Sequence, residues 1–170
     1  MSLKPDALDN IALIKAECAK QGLTFPQQVA YVLATAQHET NGTYRPVVES
    51  YWLPDPDAYN KKNHPEYYPY YGRGYTQLTW EKNYRHYGEL LGIDLAGNPD
   101  LALEPSVATF IIVNGFKHGT FTGKKITDFI NWGKTDFINA RRCINGTDEA
   151  QKIRGYAVLW WKQLTEKTAA

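Results

Sequence analysis

The feature that most constrains the fold is a stretch without helical periodicity, residues 41–74, which lies between segments that have it. Prolines interrupt this stretch at positions 46, 54, 56, 65 and 69, and a proline inside a helix removes a backbone hydrogen bond. Residues 43–49 and 70–77 could form two short strands, because Gly72 and Gly74 permit a sharp bend. A long loop of this kind in a compact domain usually carries function.

On both sides of this stretch, apolar residues recur with the period of an α-helix. Helices are predicted over about residues 6–21, 25–40, 79–91, 105–114 and 148–164. Two copies of the string TDFIN, at 127–131 and 135–139, predict two further short helices. The expected fold is therefore mainly α, with a small lobe made of loop and β-hairpin.

The length and charge of the chain limit its organisation and its partners. The 170 residues predict a single domain over 1–170, a helical scaffold with an inserted region at about 41–78 and no separate binding domain. A net charge of +1 provides no field of one sign that would attract nucleic acid or anionic lipid. The apolar runs are too short for stable membrane insertion, and we expect a monomer.

Two carboxylates flank the start of the proline-rich stretch. Glu39 falls on the last turn of the second predicted helix, at the edge of its apolar face, where partial burial favours a protonated carboxyl. Such a group can act as a general acid. Glu49 is the nearest carboxylate that could fold back toward it and act as the second catalytic group. Asp55, Asp57 and Glu66 are alternatives for that second role.

Aromatic residues are the one excess in the composition, with twelve Tyr and five Trp. Many of them lie between Tyr44 and Tyr75, where loops are expected. Aromatic rings pack well on the C–H faces of sugars, so the cluster suits a saccharide groove, although rings that merely cover a small hairpin explain it equally well. A zinc hydrolase is disfavoured, because His38-Glu39 begins the motif HExxH but Gly42 stands where the second His is needed. No metal and no organic cofactor is predicted.

Several strings together resemble glycoside hydrolase family 19, which comprises chitinases and related phage endolysins. They are HET at 38–40, PVVE at 46–49, YGRGYTQLT at 71–79 and ING at 144–146. The string with the pattern GRGxxQLT is distinctive, whereas HET or ING alone is weak. The resemblance covers about residues 29–164 and implies the two-lobed, lysozyme-like helical fold of that family.

The resemblance also implies roles for individual residues. Glu39 would be the general acid and Glu49 the general base of an inverting hydrolysis. Thr79 would help to hold the attacking water, although it could instead be only the N-cap of the next helix. Gln77, Asn83 and Asn145 would bind the N-acetyl and hydroxyl groups of the sugar, and Tyr71 would be an aromatic of the groove.

Two departures from the family pattern affect these roles. Plant-type chitinases carry a longer insertion before the base, so Glu49 is aligned through the shorter endolysin-like form. The family also tends to place an arginine of the final helix near the acid or base, where this chain has Lys152 and Arg154. The sequence does not say which of these two residues lies in the groove.

The main functional hypothesis is an endolysin-type hydrolase that cleaves β-1,4 bonds between the N-acetylated sugars of peptidoglycan. A chitinase acting on chitin oligomers is the alternative, because both polymers share this backbone. A non-catalytic saccharide-binding module is an alternative of another class. The N-terminus lacks the pattern of a signal peptide, so we expect synthesis in a bacterial host cytoplasm and action on the wall after holin-type release or injection.

Overall fold

The computed structural model describes residues 4–166, which are mainly helical, as expected from the sequence. Six α-helices lie within these residues: α1 Pro5–Lys20, α2 Pro26–Glu39, α3 Pro56–Asn63, α4 Glu81–Leu91, α5 Pro105–His118 and α6 Ala150–Glu166. Short 3-10 helices cover Pro99–Leu103, Ile126–Asp128 and Asn139–Cys143. Four strands of two residues complete the described part: β1 Val47–Val48, β2 Arg73–Gly74, β3 Ile130–Asn131 and β4 Lys134–Thr135.

The chain divides into two compact units. The first contains the described residues up to Tyr44 and from Ile112 onward, and the second is Arg45–Ile111. The second unit therefore includes the proline-rich stretch but continues beyond it through α4 and the first half of α5. That the whole chain acts as one catalytic domain stays a prediction.

The first unit is built around α2. Every side chain from Tyr31 to Ala36 is buried, and Tyr31 packs edge-on against Phe116 of α5, with ring centroids 5.8 Å apart. Ile153 and Ala157 of α6 are also fully buried. Because α2 is packed on nearly all sides, its last residue, Glu39, is attached to a rigid element.

The second unit is organised by the pairing of β1 with β2. The strands are antiparallel, with Val47 opposite Gly74 and Val48 opposite Arg73, which confirms the two short strands expected at these positions.

Helix α4 ends at Gly92, whose left-handed backbone, with φ of +67°, is the expected stop.

Two expectations about secondary structure were wrong. The proline-rich stretch contains α3, which begins at Pro56 and is capped by Asp55, whose side chain accepts a hydrogen bond from the backbone N–H of Ala58 at 3.0 Å. Proline is tolerated in the first turn of a helix, so the Asp-Pro pair starts a helix here.

The two TDFIN copies do not form two helices. The first runs from a 3-10 turn into β3 and the second begins in β4, so that together they frame a hairpin with Ile130 opposite Thr135. The side chain of Asn131 accepts a hydrogen bond from the N–H of Gly133 at 3.0 Å and stabilises the turn.

No helix among residues 4–166 combines the length and the apolar character needed to cross a membrane.

Candidate active site

Glu39 is held by a buried arginine of the first unit. Nη1 of Arg141 donates a hydrogen bond to Oε1 of Glu39 at 3.0 Å, and Nε of Arg141 donates to the carbonyl oxygen of Asp148 at 3.1 Å. The arginine side chain is 6% exposed and that of Glu39 is 21% exposed. A fixed guanidinium at this distance stabilises the carboxylate that remains once Glu39 has given up a proton.

His38, which precedes Glu39, contributes little positive charge. Burial lowers the pKa of its imidazole, and the nearby guanidinium of Arg141 lowers it further, against the opposing effect of Glu39. Its Nδ1 is buried and has no hydrogen-bond partner among the described residues. The positive charge beside Glu39 therefore comes from Arg141.

Arg141 was not predicted from the sequence. The expected basic residues were Lys152 and Arg154 of α6, but Nζ of Lys152 lies 3.8 Å from Oε2 of Glu149 and the side chain of Arg154 is exposed. The 3-10 helix Asn139–Cys143 carries the arginine that pairs with Glu39. The sequence feature that could have indicated Arg141 is the Arg-Arg pair shortly before the ING string.

Asn145 lies close to Arg141 in the chain and in the structure. Its backbone N–H donates to the carbonyl oxygen of Arg141 at 3.0 Å, and its own side-chain oxygen accepts a hydrogen bond from the N–H of Gly146 at 2.9 Å. The side chain is exposed. Asn145 therefore lies on the surface beside the segment that supports Glu39, and its contact with a sugar stays a prediction.

Glu49 follows β1 in the second unit and is held by hydrogen-bond donors on both of its carboxylate oxygens. Oε2 accepts from the backbone N–H of Gly72 at 2.8 Å, and Oε1 accepts from the hydroxyl of Tyr67 at 2.9 Å. The backbone N–H of Glu49 in turn donates to the carbonyl oxygen of Gly72 at 2.7 Å. This arrangement fixes the direction of the carboxylate.

Tyr67 and His64 form the rest of the surroundings of Glu49, and neither was predicted as a site residue. Burial raises the pKa of the Tyr67 hydroxyl, and its hydrogen bond to Glu49 raises it further, so the hydroxyl remains a donor. The ring of His64 stacks on that of Tyr67 with centroids 5.1 Å apart, and its Nε2 lies 4.0 Å from Oε1 of Glu49. Within the aromatic excess, no local motif distinguished these two residues.

The other candidate bases have different surroundings. Asp55 caps α3, and the carboxylate of Asp57 accepts hydrogen bonds from the hydroxyls of Tyr68 at 3.2 Å and Tyr71 at 2.9 Å. Glu66 is 53% exposed and lies 3.6 Å from Nδ1 of His64. Asp55 and Asp57 therefore have structural partners that account for their positions.

The GRG string is built around the buried guanidinium of Arg73. Nη1 of Arg73 donates to the carbonyl oxygens of Pro69 and Tyr71 at 3.0 and 3.1 Å, and Nε donates to Asp100 at 2.8 Å. The ring of Tyr71 lies 3.9 Å from the guanidinium carbon. Because Tyr71 is 5% exposed, it supports this loop, and its role as an aromatic of the groove stays a prediction.

Gln77 braces the same loop. Its Nε2 donates to the carbonyl oxygen of Val47 at 3.1 Å, and a second contact to that of Gly74 measures 3.3 Å. A Cβ atom on Gly72 would lie 2.7 Å from Oε1 of Gln77, so any larger residue at position 72 would displace the Gln77 side chain. The amide nitrogen of Gln77 is thus engaged with the backbone, and a role in sugar binding stays a prediction.

Thr79 and Asn83 are neighbours at the start of α4. The Thr79 hydroxyl donates to the carbonyl oxygen of Gln77 at 2.9 Å, and Nδ2 of Asn83 donates to that of Thr79 at 2.7 Å. The N-cap of α4 is Trp80, so the alternative role of Thr79 as N-cap is wrong. Both side chains are half-buried and remain candidates for contact with water or substrate.

Glu39 and Glu49 thus lie in different units, each with its own set of supporting residues. Among residues 4–166, no three His, Cys, Asp or Glu side chains come together in a way that could hold a metal ion. The candidate groups described above are two carboxyls, the Thr79 hydroxyl and the side-chain amides of Gln77, Asn83 and Asn145.

Comparison with known proteins gives consistent results. The family model described as chitinase class I matches residues 17–125. Chitinase 8 of Oryza sativa subsp. japonica is 38% identical over 86 residues, which are 49% of this chain and 32% of that protein. Inactive chitinase-like protein 1 of Hevea brasiliensis is 51% identical over 41 residues, 24% of this chain and 13% of that protein. This chain spans about a third of the length of the rice relative.

Two solved structures share the fold. Chitinase C from Streptomyces griseus HUT6037 superposes with a TM-score of 0.59 at 26% identity, over 83% of this chain and 59% of that one. A bacterial family 19 chitinase superposes with a TM-score of 0.56 at 23% identity, over 91% of this chain and 84% of that one. The family model and the shared lysozyme-like fold together show that this chain belongs to glycoside hydrolase family 19.

Proposed function

We propose that this protein hydrolyses the β-1,4 bonds of chitin-type oligosaccharides with inversion at the anomeric carbon, using Glu39 as general acid and Glu49 as general base. The observation that carries the proposal is the contrast between the two carboxylates. Glu39 has a buried guanidinium as its partner, whereas Glu49 is oriented by two neutral donors, a backbone N–H and a tyrosine hydroxyl.

In the proposed mechanism, Glu39 gives its proton to the leaving sugar oxygen. When the leaving sugar oxygen takes the proton, Glu39 becomes an anion, and Arg141 at 3.0 Å stabilises that anion without moving. The rigid helix α2 keeps the carboxyl in place. The same side chain recovers a proton from solvent after product release, since 21% of it is exposed.

The surroundings of Glu49 suit a base that activates water. Its two donors leave further lone pairs free to accept a proton, because each carboxylate oxygen has two. An inverting mechanism needs a separation of roughly 6.5 to 9.5 Å between the acid and base carboxyls, with the water between them. The proposal therefore requires Glu39 and Glu49 to reach opposite faces of the same sugar.

Peptidoglycan is a second candidate substrate, because it shares the β-1,4 backbone of N-acetylated sugars. Cys18 and Cys143 are both free and buried, which is typical of a protein that folds in a reducing compartment. This favours the endolysin hypothesis, in which the enzyme is made in a host cytoplasm and reaches the wall later. The chitinase relatives favour chitin oligomers as the first substrate to test.

Mass spectrometry of the fragments released from chitin hexamer and from purified peptidoglycan tests the proposal. We expect shorter chitin oligomers with the wild-type protein, and none with Glu39→Gln at equal folding. The matched control is Glu89→Gln, an exposed residue of α4 outside the candidate site, which should cleave like wild type. If fragments are released from peptidoglycan and not from chitin hexamer, peptidoglycan replaces chitin as the proposed substrate.

A non-catalytic saccharide-binding module is the alternative from another class. The match to a relative that is named as inactive supports this alternative. It predicts that wild type and Glu39→Gln bind chitin oligomers equally and that neither releases fragments. The hydrolase proposal predicts equal binding but release by wild type alone.

A further inference from the structure

An open depression of about 770 Å³ in the second unit is lined by four aromatic side chains, Tyr67, Tyr68, Tyr70 and Trp80. Trp80 is 46% exposed and lies edge-on to Tyr67, with ring centroids 5.3 Å apart. Trp80 is exposed and the three tyrosines are half-buried, so parts of all four rings remain accessible. They offer apolar faces on which the C–H groups of a sugar can pack.

The backbone of Trp80 holds its ring in this position at a conformational cost. Its φ is +73° and its ψ is +135°, a combination that suits glycine and disfavours a bulky side chain. The backbone N–H of Trp80 donates to the carbonyl oxygen of Tyr70 at 2.9 Å, which keeps the residue in place. A large ring retained at a strained position points to a function that needs the ring.

The rim of the depression carries balanced charges. Glu81 and Arg85 pair with each other through Nε of Arg85 at 2.8 Å, and the remaining two rim residues are Glu66 and Lys82, of opposite sign. Such a rim has no excess charge with which to select an anionic ligand. The aromatic faces therefore favour an uncharged sugar.

Tyr67 connects this depression to Glu49. Its ring lines the depression, and its hydroxyl is the donor to Oε1 of Glu49 at 2.9 Å. We propose that the aromatic depression is a subsite for an uncharged N-acetylated hexose unit of the substrate, with Trp80 as the stacking ring. This inference rests on the proposed function, because it takes the sugar in the subsite to belong to the chain that Glu49 helps to cleave.

Calorimetric titration of chitin tetramer into Glu39→Gln protein tests the subsite without turnover. We expect Trp80→Gly and Trp80→Ala, each made in that background, to weaken binding about tenfold, because both remove the stacking ring. Trp132→Ala is the matched control and should bind normally, since Trp132 is 92% exposed and packs on Phe25 in the first unit.

Thermal unfolding of the same variants separates binding from stability. Glycine accepts a positive φ at no steric cost, so Trp80→Gly should melt at a higher temperature than Trp80→Ala while binding equally weakly. A folded Trp80→Gly variant that binds tetramer as tightly as its parent overturns the subsite and leaves the hydrolase proposal standing. A wild-type protein that neither binds nor cleaves the tetramer overturns the proposed function and the subsite with it.

Discussion

The two units each position one candidate catalytic carboxylate, and they do so by different means. In the first unit, Glu39 ends a buried helix and meets the charge of Arg141. In the second, Glu49 lies in irregular chain, where a backbone N–H and the Tyr67 hydroxyl direct it. An acid whose anion must be stabilised and a base that must be aimed at water require such different supports.

The two carboxylates also differ in what determines their positions. A regular helix fixes Glu39 once its apolar face is buried, whereas Glu49 depends on a set of long-range contacts centred on Arg73 and Gln77. Changes to these contacts should therefore act on the second unit through its folding, while changes to Arg141 should act on the chemistry of Glu39.

Removing either carboxyl should have the largest effect. We expect kcat of Glu39→Gln and of Glu49→Gln on chitin hexamer to fall by about 10³-fold or more, because each variant loses a proton-transfer group. Added azide should restore turnover to Glu49→Ala, by replacing the activated water, and should not restore it to Glu39→Ala. Rescue of the Glu39 variant alone would reverse the two assignments.

Replacing the buried guanidinium of the second unit should have the next largest effect. Arg73→Met leaves the carbonyl oxygens of Pro69 and Tyr71 without their donor, so we expect the free energy of unfolding in urea to drop by about 3 kcal/mol. Arg85→Met is the matched control: its exposed ion pair with Glu81 should contribute much less to stability than the buried contacts of Arg73. If both variants lose the same free energy of unfolding, Arg73 does not organise this loop.

Removing one donor to Glu49 should have a moderate effect on activity. Tyr67→Phe keeps the ring against His64 but deletes the hydroxyl, so we expect kcat to fall about tenfold with KM little changed. Tyr68→Phe, which loses a hydroxyl bonded to Asp57 and not to Glu49, should lower kcat by much less.

The smallest effect concerns the stability of the first unit in acid. Burial lowers the pKa of His38 in the folded protein, so the unfolded chain takes up its proton first as the pH falls. The stabilisation is then complete above about pH 6.5 and is lost as the pH falls through the lower folded pKa. Between pH 7 and 5, His38→Gln should therefore lose less stability than wild type, as measured by urea unfolding at each pH.

The matched control for this prediction is His86→Gln, because His86 is exposed. Its unfolding free energy should decline with falling pH as in wild type. If His38→Gln follows the same decline as wild type, the histidine does not contribute to the acid sensitivity of the first unit.

The sequence predicted the helical scaffold because period and caps are local properties. Helix α2 and its terminal Glu39 follow from an apolar stripe, and the stop at Gly92 follows from its freedom at positive φ. Helix α3 was missed because Pro56, read as a break, occupies the first turn.

The supports of the site were harder to predict, because they depend on residues far apart in the chain. Arg141 lies 102 positions from Glu39, and Tyr67 lies 18 positions from Glu49. No local period brings such pairs together. The burial of Tyr71 against Arg73 likewise depends on how the whole loop folds, so the motif match gave no indication of it.

The anomeric configuration of the first product tests the central claim most directly. Proton NMR during the first minutes of cleavage of chitin hexamer by the wild-type protein should show the new reducing end as the α-anomer, before it mutarotates. That result is expected if Glu49 activates a water on the face opposite to the proton from Glu39. A β-anomer at the earliest time points would contradict a water-activating Glu49 and require a covalent or substrate-assisted mechanism.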